Sequence, residues 1–118
     1  MSYQQWEDRR KYKRYSSDLQ ARFRKLDDDA AALQEGQVLN VSRGGVFLRT
    51  QSPFPVGTEI LLLVNIVTPL GEERELESHA KVMWSGQNPG EEGMGLCFTK
   101  IDRHTQFAML ACAYRGEG

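Results

Sequence analysis

The chain has 118 residues, 40% hydrophobic and 26% charged, with a formal net charge of -1. That length buries a core of its own without staples, and the composition is that of one globular domain rather than a disordered or collagen-like chain. The charge is unevenly spread: residues 1–25 hold eight Lys/Arg against three Asp/Glu, hence +5, and residues 26–118 hold seven against thirteen, hence -6. An anion is therefore met by the N-terminal segment, while the body repels long polyanions.

Residues 1–8 are mostly polar, with two aromatics, Tyr3 and Trp6, and are expected to form a mobile tail. Charge follows them directly, without an apolar h-region, so no signal peptide is read. The longest apolar run, Ile60 to Val64, resumes with Ile66-Val67 and is far short of a membrane span. The expectation is a cytoplasmic protein without membrane insertion. Next comes Arg9-Arg10-Lys11-Tyr12-Lys13-Arg14, with five cations in six residues. Taken alone it fits a solvated charge run, a nucleic-acid arm, or half of an anion site.

Leu19 to Arg24 alternates apolar and polar, the period-2 signature of a half-buried strand. The stretch from Lys25 to Glu35, with Asp27-Asp28-Asp29, reads as an exposed acidic loop rather than a capped helical turn, because Val38-Leu39-Asn40-Val41 restarts strand character just after Gly36. Val46 to Thr50 is a further strand. Between them, Ser42-Arg43-Gly44-Gly45 reads as a hairpin-like turn with two positions free to take positive φ. Pro53 and Pro55 make Ser52 to Gly57 a connection, since proline has no N–H for a ladder.

Glu59 to Val67 is apolar apart from Asn65 and suits a strand with little solvent-facing surface. After a turn at Pro69 to Glu72, Leu76, Ala80, Val82 and Trp84 share one face of a long strand, opposite Glu77, His79 and Lys81. Gly86 to Gly93 turns the chain again, and Met94, Leu96 and Phe98 alternate with Gly95 and Cys97 in a last strand. The ending has helical spacing: Phe107, Leu110, Ala111 and Tyr114 form one stripe, with Asp102 as N-cap and Gly116 past the end. Six short antiparallel strands followed by a C-terminal helix predict an all-β fold, a six-stranded antiparallel β-barrel whose closure removes exposed edges.

Catalytic and metal-binding constellations are not expected. His79 lies on a polar strand face and His104 in the first helical turn; Cys97 and Cys112 sit in apolar patterns as buried, reduced thiols, at no ligand spacing. The aspartates at 27–29 lack the glycine and terminal glutamate of a calcium loop. Asn40-Val41-Ser42-Arg43-Gly44-Gly45 differs, because it puts two short hydrogen-bonding side chains at i and i+2 and then lets backbone approach closely. Its plain structural reading is an Asx or Ser/Thr turn that satisfies its own backbone.

Taken together, Arg10-Lys11-Tyr12-Lys13-Arg14 and Asn40-Val41-Ser42-Arg43-Gly44-Gly45 resemble the two ligand motifs of the PilZ domain, Arg-x-x-x-Arg and Asp/Asn-x-Ser-x-x-Gly, in the family's order and separation. Ala80 to Trp84 and Gly93 to Phe98 resemble its later strands. The resemblance implies a six-stranded barrel with a C-terminal helix: a tail over 1–8, then a PilZ-like domain over 9–118, made of a ligand-binding loop at 9–18, the barrel at 19–99 and the helix at 102–115. It also implies a non-enzymatic receptor for cyclic di-GMP that relays the signal to an effector protein, with no cofactor and no nucleic acid.

Arg10 and Arg14 would grip the ligand, since guanidinium matches phosphate and guanine edges as a fork and stacks on base planes. Asn40 and Ser42 would complete the floor, with Gly44 and Gly45 allowing close approach. Arg9 matches a position where arginine accompanies an intercalated pair of ligand molecules, and Trp84 one where family members place a contact residue, although an indole there also suits a core. Two other readings differ in class. One is a PilZ-like protein-interaction module without nucleotide binding; the other, a nucleic-acid-binding barrel using the basic arm, is opposed by the -6 body.

Overall fold

The computed structural model describes residues 13–87, 89–90 and 92–117, with side chains described up to Ala113. The order is β1 (Tyr15–Lys25), β2 (Gln34–Val41), β3 (Gly45–Arg49), β4 (Glu59–Val67), β5 (Glu73–Gly86), β6 (Gly93–Lys100) and α1 (Arg103–Glu117). All pairings are antiparallel and close a six-stranded barrel in the order β1-β2-β3-β6-β5-β4, as the strand count predicts. Because β1 pairs with both β2 and β4, every strand has two neighbours, although residues 15–20 of β1 and 73–78 of β5 are paired on one side only.

Alternation fills the interior. Phe23, Val38, Val46, Leu48, Leu62, Val64, Val82 and Leu96 are fully buried, while charged neighbours such as Arg22, Arg49 and Lys81 face outward. Phe54, from the proline-bearing β3–β4 connection, meets Phe23 edge-on at 5.7 Å. The helix closes the other end of the barrel with Met109 and Ala113, both under 2% exposed.

Several boundaries and faces differ from the sequence expectation. β1 starts at Tyr15, so residues 15–18 belong to the barrel rather than to the loop predicted over 9–18. The Ser17 hydroxyl donates to the Val38 carbonyl at 2.6 Å where a one-residue bulge interrupts the β1–β2 register, and that irregularity hides the alternation. β2 starts at Gln34, before Gly36, which does not break the strand: a Cβ there would press on the Arg49 carbonyl and the Phe23 ring. The acidic stretch before β2 is a loop, as expected.

On α1 the buried stripe is Met109–Ala113, and Phe107 is 73% exposed. Phe107 to Ala113 is apolar at every position, so its period singles out no face. The helix also runs through Gly116 to Glu117, beyond the predicted end. Both thiols are free and half-buried rather than buried. Among the described residues no helix is long and apolar enough to cross a membrane.

Candidate functional site

The strand registers bring Arg14, the last residue of the first motif, and the second motif to one end of the barrel. Tyr15 lies opposite Val41, so Arg14, one residue before Tyr15, enters at the level of Ser42, one residue after Val41. Arg14 is half-buried, and the Lys13 ammonium stands 5.2 Å from the Tyr15 ring centroid. Arg9 and Arg10 lie outside the described residues.

The turn between β2 and β3 is closed by one side chain. Ser42, 4% exposed, accepts the N–H groups of Gly44 (3.2 Å) and Gly45 (3.3 Å) on its hydroxyl and donates to the Gly45 carbonyl. Its own N–H donates to the same carbonyl at 2.9 Å. A hydroxyl has one donor and two acceptor sites, so Ser42 is fully committed to its turn. The local Ser/Thr-turn reading of this residue is realised, its hydroxyl bonded within the turn.

Neither glycine of the turn takes a positive φ, contrary to expectation; positive values occur at Gly57, Gly71 and Gly90. Gly45 is required instead by proximity, since a Cβ would overlap the Leu96 carbonyl oxygen of β6. Gly44 presents its carbonyl to the Phe98 N–H at 2.9 Å, a second tie to the same strand.

Asn40 is half-buried and faces outward, one member of a row crossing five strands: Ser16 pairs with Asn40, Asn40 with Phe47, Phe47 with Gly95, and Gly95 with Trp84. Directly opposed residues share a face, and Phe47 lies between the inward Val46 and Leu48, so the row runs along the outside of the barrel. Trp84 is therefore not on the core face with Ala80 and Val82. Met83 is an extra residue between the Val82–Leu96 and Trp84–Gly95 pairs, and this bulge returns the indole to the outer surface.

There the Trp84 ring stacks with Phe47, centroids 5.4 Å apart and planes 12° from parallel. Both rings press on glycines: a Cβ on Gly95 would overlap the indole, and one on Gly93 would come within 2.7 Å of the Phe47 ring. The result is a flat aromatic deck beside Asn40. The next row outward, Gln37–Arg49–Gly93, adds an exposed guanidinium. It borders a shallow groove of about 550 Å³ that includes Gln20 and Gly90. Sequence reasoning missed Phe47, yet a signal was present, since an aromatic between two core aliphatics of a strand must point outward.

Among the described residues no group of His, Cys, Asp or Glu is placed to hold a metal ion. Asp102 has its carboxyl held below the ordinary aspartate value, first by the Thr105 N–H that it accepts at 2.7 Å and also by the Thr105 hydroxyl. That contact caps α1, and it lies outside the row.

Comparison with known proteins agrees with this fold. The family model of the PilZ domain matches residues 8–115. The inhibitor of motility (MotI/DgrA) of Bacillus subtilis is structurally similar at a TM-score of 0.71 and 22% identity, over 92% of this chain and 50% of that one. The present chain thus spans about half of that protein. The PilZ domain of CeSA from a cellulose-synthesizing bacterium is similar at a TM-score of 0.60 and 16% identity, over 90% of this chain and 99% of that one. No curated protein matches the sequence.

Proposed function

The chain belongs to the PilZ domain family, and on that premise we propose that it is a non-enzymatic receptor for cyclic di-GMP, which relays ligand occupancy to a partner protein through ordering of its N-terminal arginine loop. The observation that carries this reading is the strand register, which delivers Arg14 to the level of the Ser42 turn, beside the outward row of Asn40, Phe47 and Trp84. A cyclic dinucleotide presents two phosphates and two guanines. Arg10 and Arg14 supply forked donors for phosphate and for guanine O6 and N7. The Asn40 amide offers an acceptor and donors for a base edge, and the aromatic deck offers a plane on which a base can stack.

Ser42 and Gly45 act in this account by shaping the turn. Arg9 is the position from which two intercalated ligands per chain are inferred. Ordering a tail costs roughly 1–2 kcal/mol for each fixed backbone residue, so several charge-assisted contacts are required, and the arginine cluster supplies them. A second reading, a protein-interaction module without nucleotide, is favoured by the self-contained Ser42 turn, which needs no ligand to hold its shape.

Calorimetric titration of the full chain with cyclic di-GMP, using linear diguanylate and a short oligonucleotide as controls, separates the two. Saturable heat with the cyclic ligand alone is expected. Arg10→Ala or Arg14→Ala should abolish it with little change in the thermal transition. Absence of heat at ligand concentrations of tens of micromolar would favour the interaction module, and a large loss of folding stability in the variants would make the arginines structural.

A further inference from the structure

The turn that shapes the site contains two consecutive glycine peptides, and the structure holds each of them from both sides. In the Gly44–Gly45 unit, the Gly45 N–H donates to the Ser42 hydroxyl and the Gly44 carbonyl accepts the Phe98 N–H. In the Arg43–Gly44 unit, the Gly44 N–H donates to the same hydroxyl at 3.2 Å. The Arg43 carbonyl of that unit accepts the side-chain amide of Gln106 at 2.6 Å, across 63 residues of sequence. Only a donor can face a carbonyl, so the amide nitrogen is the group presented.

This last clamp comes from α1, not from the barrel. Gln106 sits in the first helical turn, where its backbone N–H bonds the Asp102 carbonyl at 3.0 Å and the Asp102 side chain caps the helix through Thr105. The clamp is therefore carried on a fixed frame. Glycine peptides lack the Cβ that would restrict their rotation. Without Gln106, the Arg43–Gly44 plane loses the clamp on its carbonyl and keeps the long bond from its N–H to Ser42.

We propose that Gln106 is a positioning residue for the ligand turn, coupling the seating of α1 to the affinity of the site for the phosphate and guanine groups of a cyclic dinucleotide. The inference rests on the receptor reading above. Coupling is reciprocal in binding: a helix that holds the turn in its competent form tightens the ligand, and bound ligand holds the helix to the same degree.

The test uses the full chain, Gln106→Ala and Gln106→Lys, each titrated with cyclic di-GMP, with amide hydrogen exchange measured before and after ligand. Alanine preserves the helix while removing the donor, and lysine restores a donor of similar reach. Gln106→Ala should weaken binding about three- to tenfold, the scale of one hydrogen bond. It should speed exchange of the Gly44 amide in the free protein and remove the ligand-induced protection of α1, and Gln106→Lys should recover most of each effect. Unchanged affinity and unchanged Gly44 exchange in Gln106→Ala, with the unmodified chain still binding, would overturn the coupling alone. No heat with the unmodified chain would overturn the receptor reading and the coupling with it, and in that case Gly44 exchange would report only whether the clamp exists.

Discussion

Two residues of the second motif, two positions apart, do different work. Ser42 is spent on its own backbone, whereas Asn40 faces outward beside Phe47. Removing the serine hydroxyl leaves two turn N–H groups without their acceptor, at a cost of about 1–3 kcal/mol for buried groups. Ser42→Ala is therefore expected to lower the thermal midpoint by several degrees and to weaken cyclic di-GMP binding along with it. Asn40→Ala should weaken binding at nearly constant midpoint. Parallel melting curves and titrations check this, and equal midpoints in the two variants would contradict the division of labour. The turn chemistry of Ser42 was legible in the sequence because its bonds reach only two or three residues. The need for glycine at position 45 was legible as a pattern but not in its cause, which is the Leu96 carbonyl on a strand fifty residues away.

At the scale of elements, alternation and turn residues located all six strands and the capped helix, since each signal is local. Faces were harder. A bulge costs one residue and leaves no compositional mark, so the extra residue at Met83 moved Trp84 from the expected core face to the outer row. On α1, unbroken apolar character from Phe107 to Ala113 left the choice of face to tertiary packing, which selected Met109 and Ala113. The cap at Asp102 makes a pH-dependent prediction. Its folded-state pKa is depressed, first by the Thr105 N–H, so its contribution to stability is present above the ordinary carboxylate range and is lost as pH falls through the lowered value. The midpoint difference between the unmodified chain and Asp102→Ala should be largest near neutrality and should shrink below about pH 4, as thermal melts across pH would reveal. A difference that persisted in acid would assign the cap to something other than the carboxylate.

For the molecule as a whole, closure of the barrel gives every strand two neighbours, leaving outer faces, turns and the capped ends as the main surfaces for recognition. Five strands contribute to the row of Ser16, Asn40, Phe47, Gly95 and Trp84, and β4 alone stands outside it. Lys13 and Arg14 lead into the barrel beside Ser16, the β1 member of that row. The entry of Arg14 next to a row of hydrogen-bonding and aromatic groups is the basis for placing the proposed ligand there. The most direct measurement is an amide chemical-shift map of the full chain titrated with cyclic di-GMP. The largest changes are expected at Arg9 to Ser16, Asn40 to Phe47, Gly95 and the Trp84 indole, with Leu61, Leu63 and Asn65 on the outer face of β4 unmoved. Changes centred on β4, or none at saturating ligand, would contradict this placement.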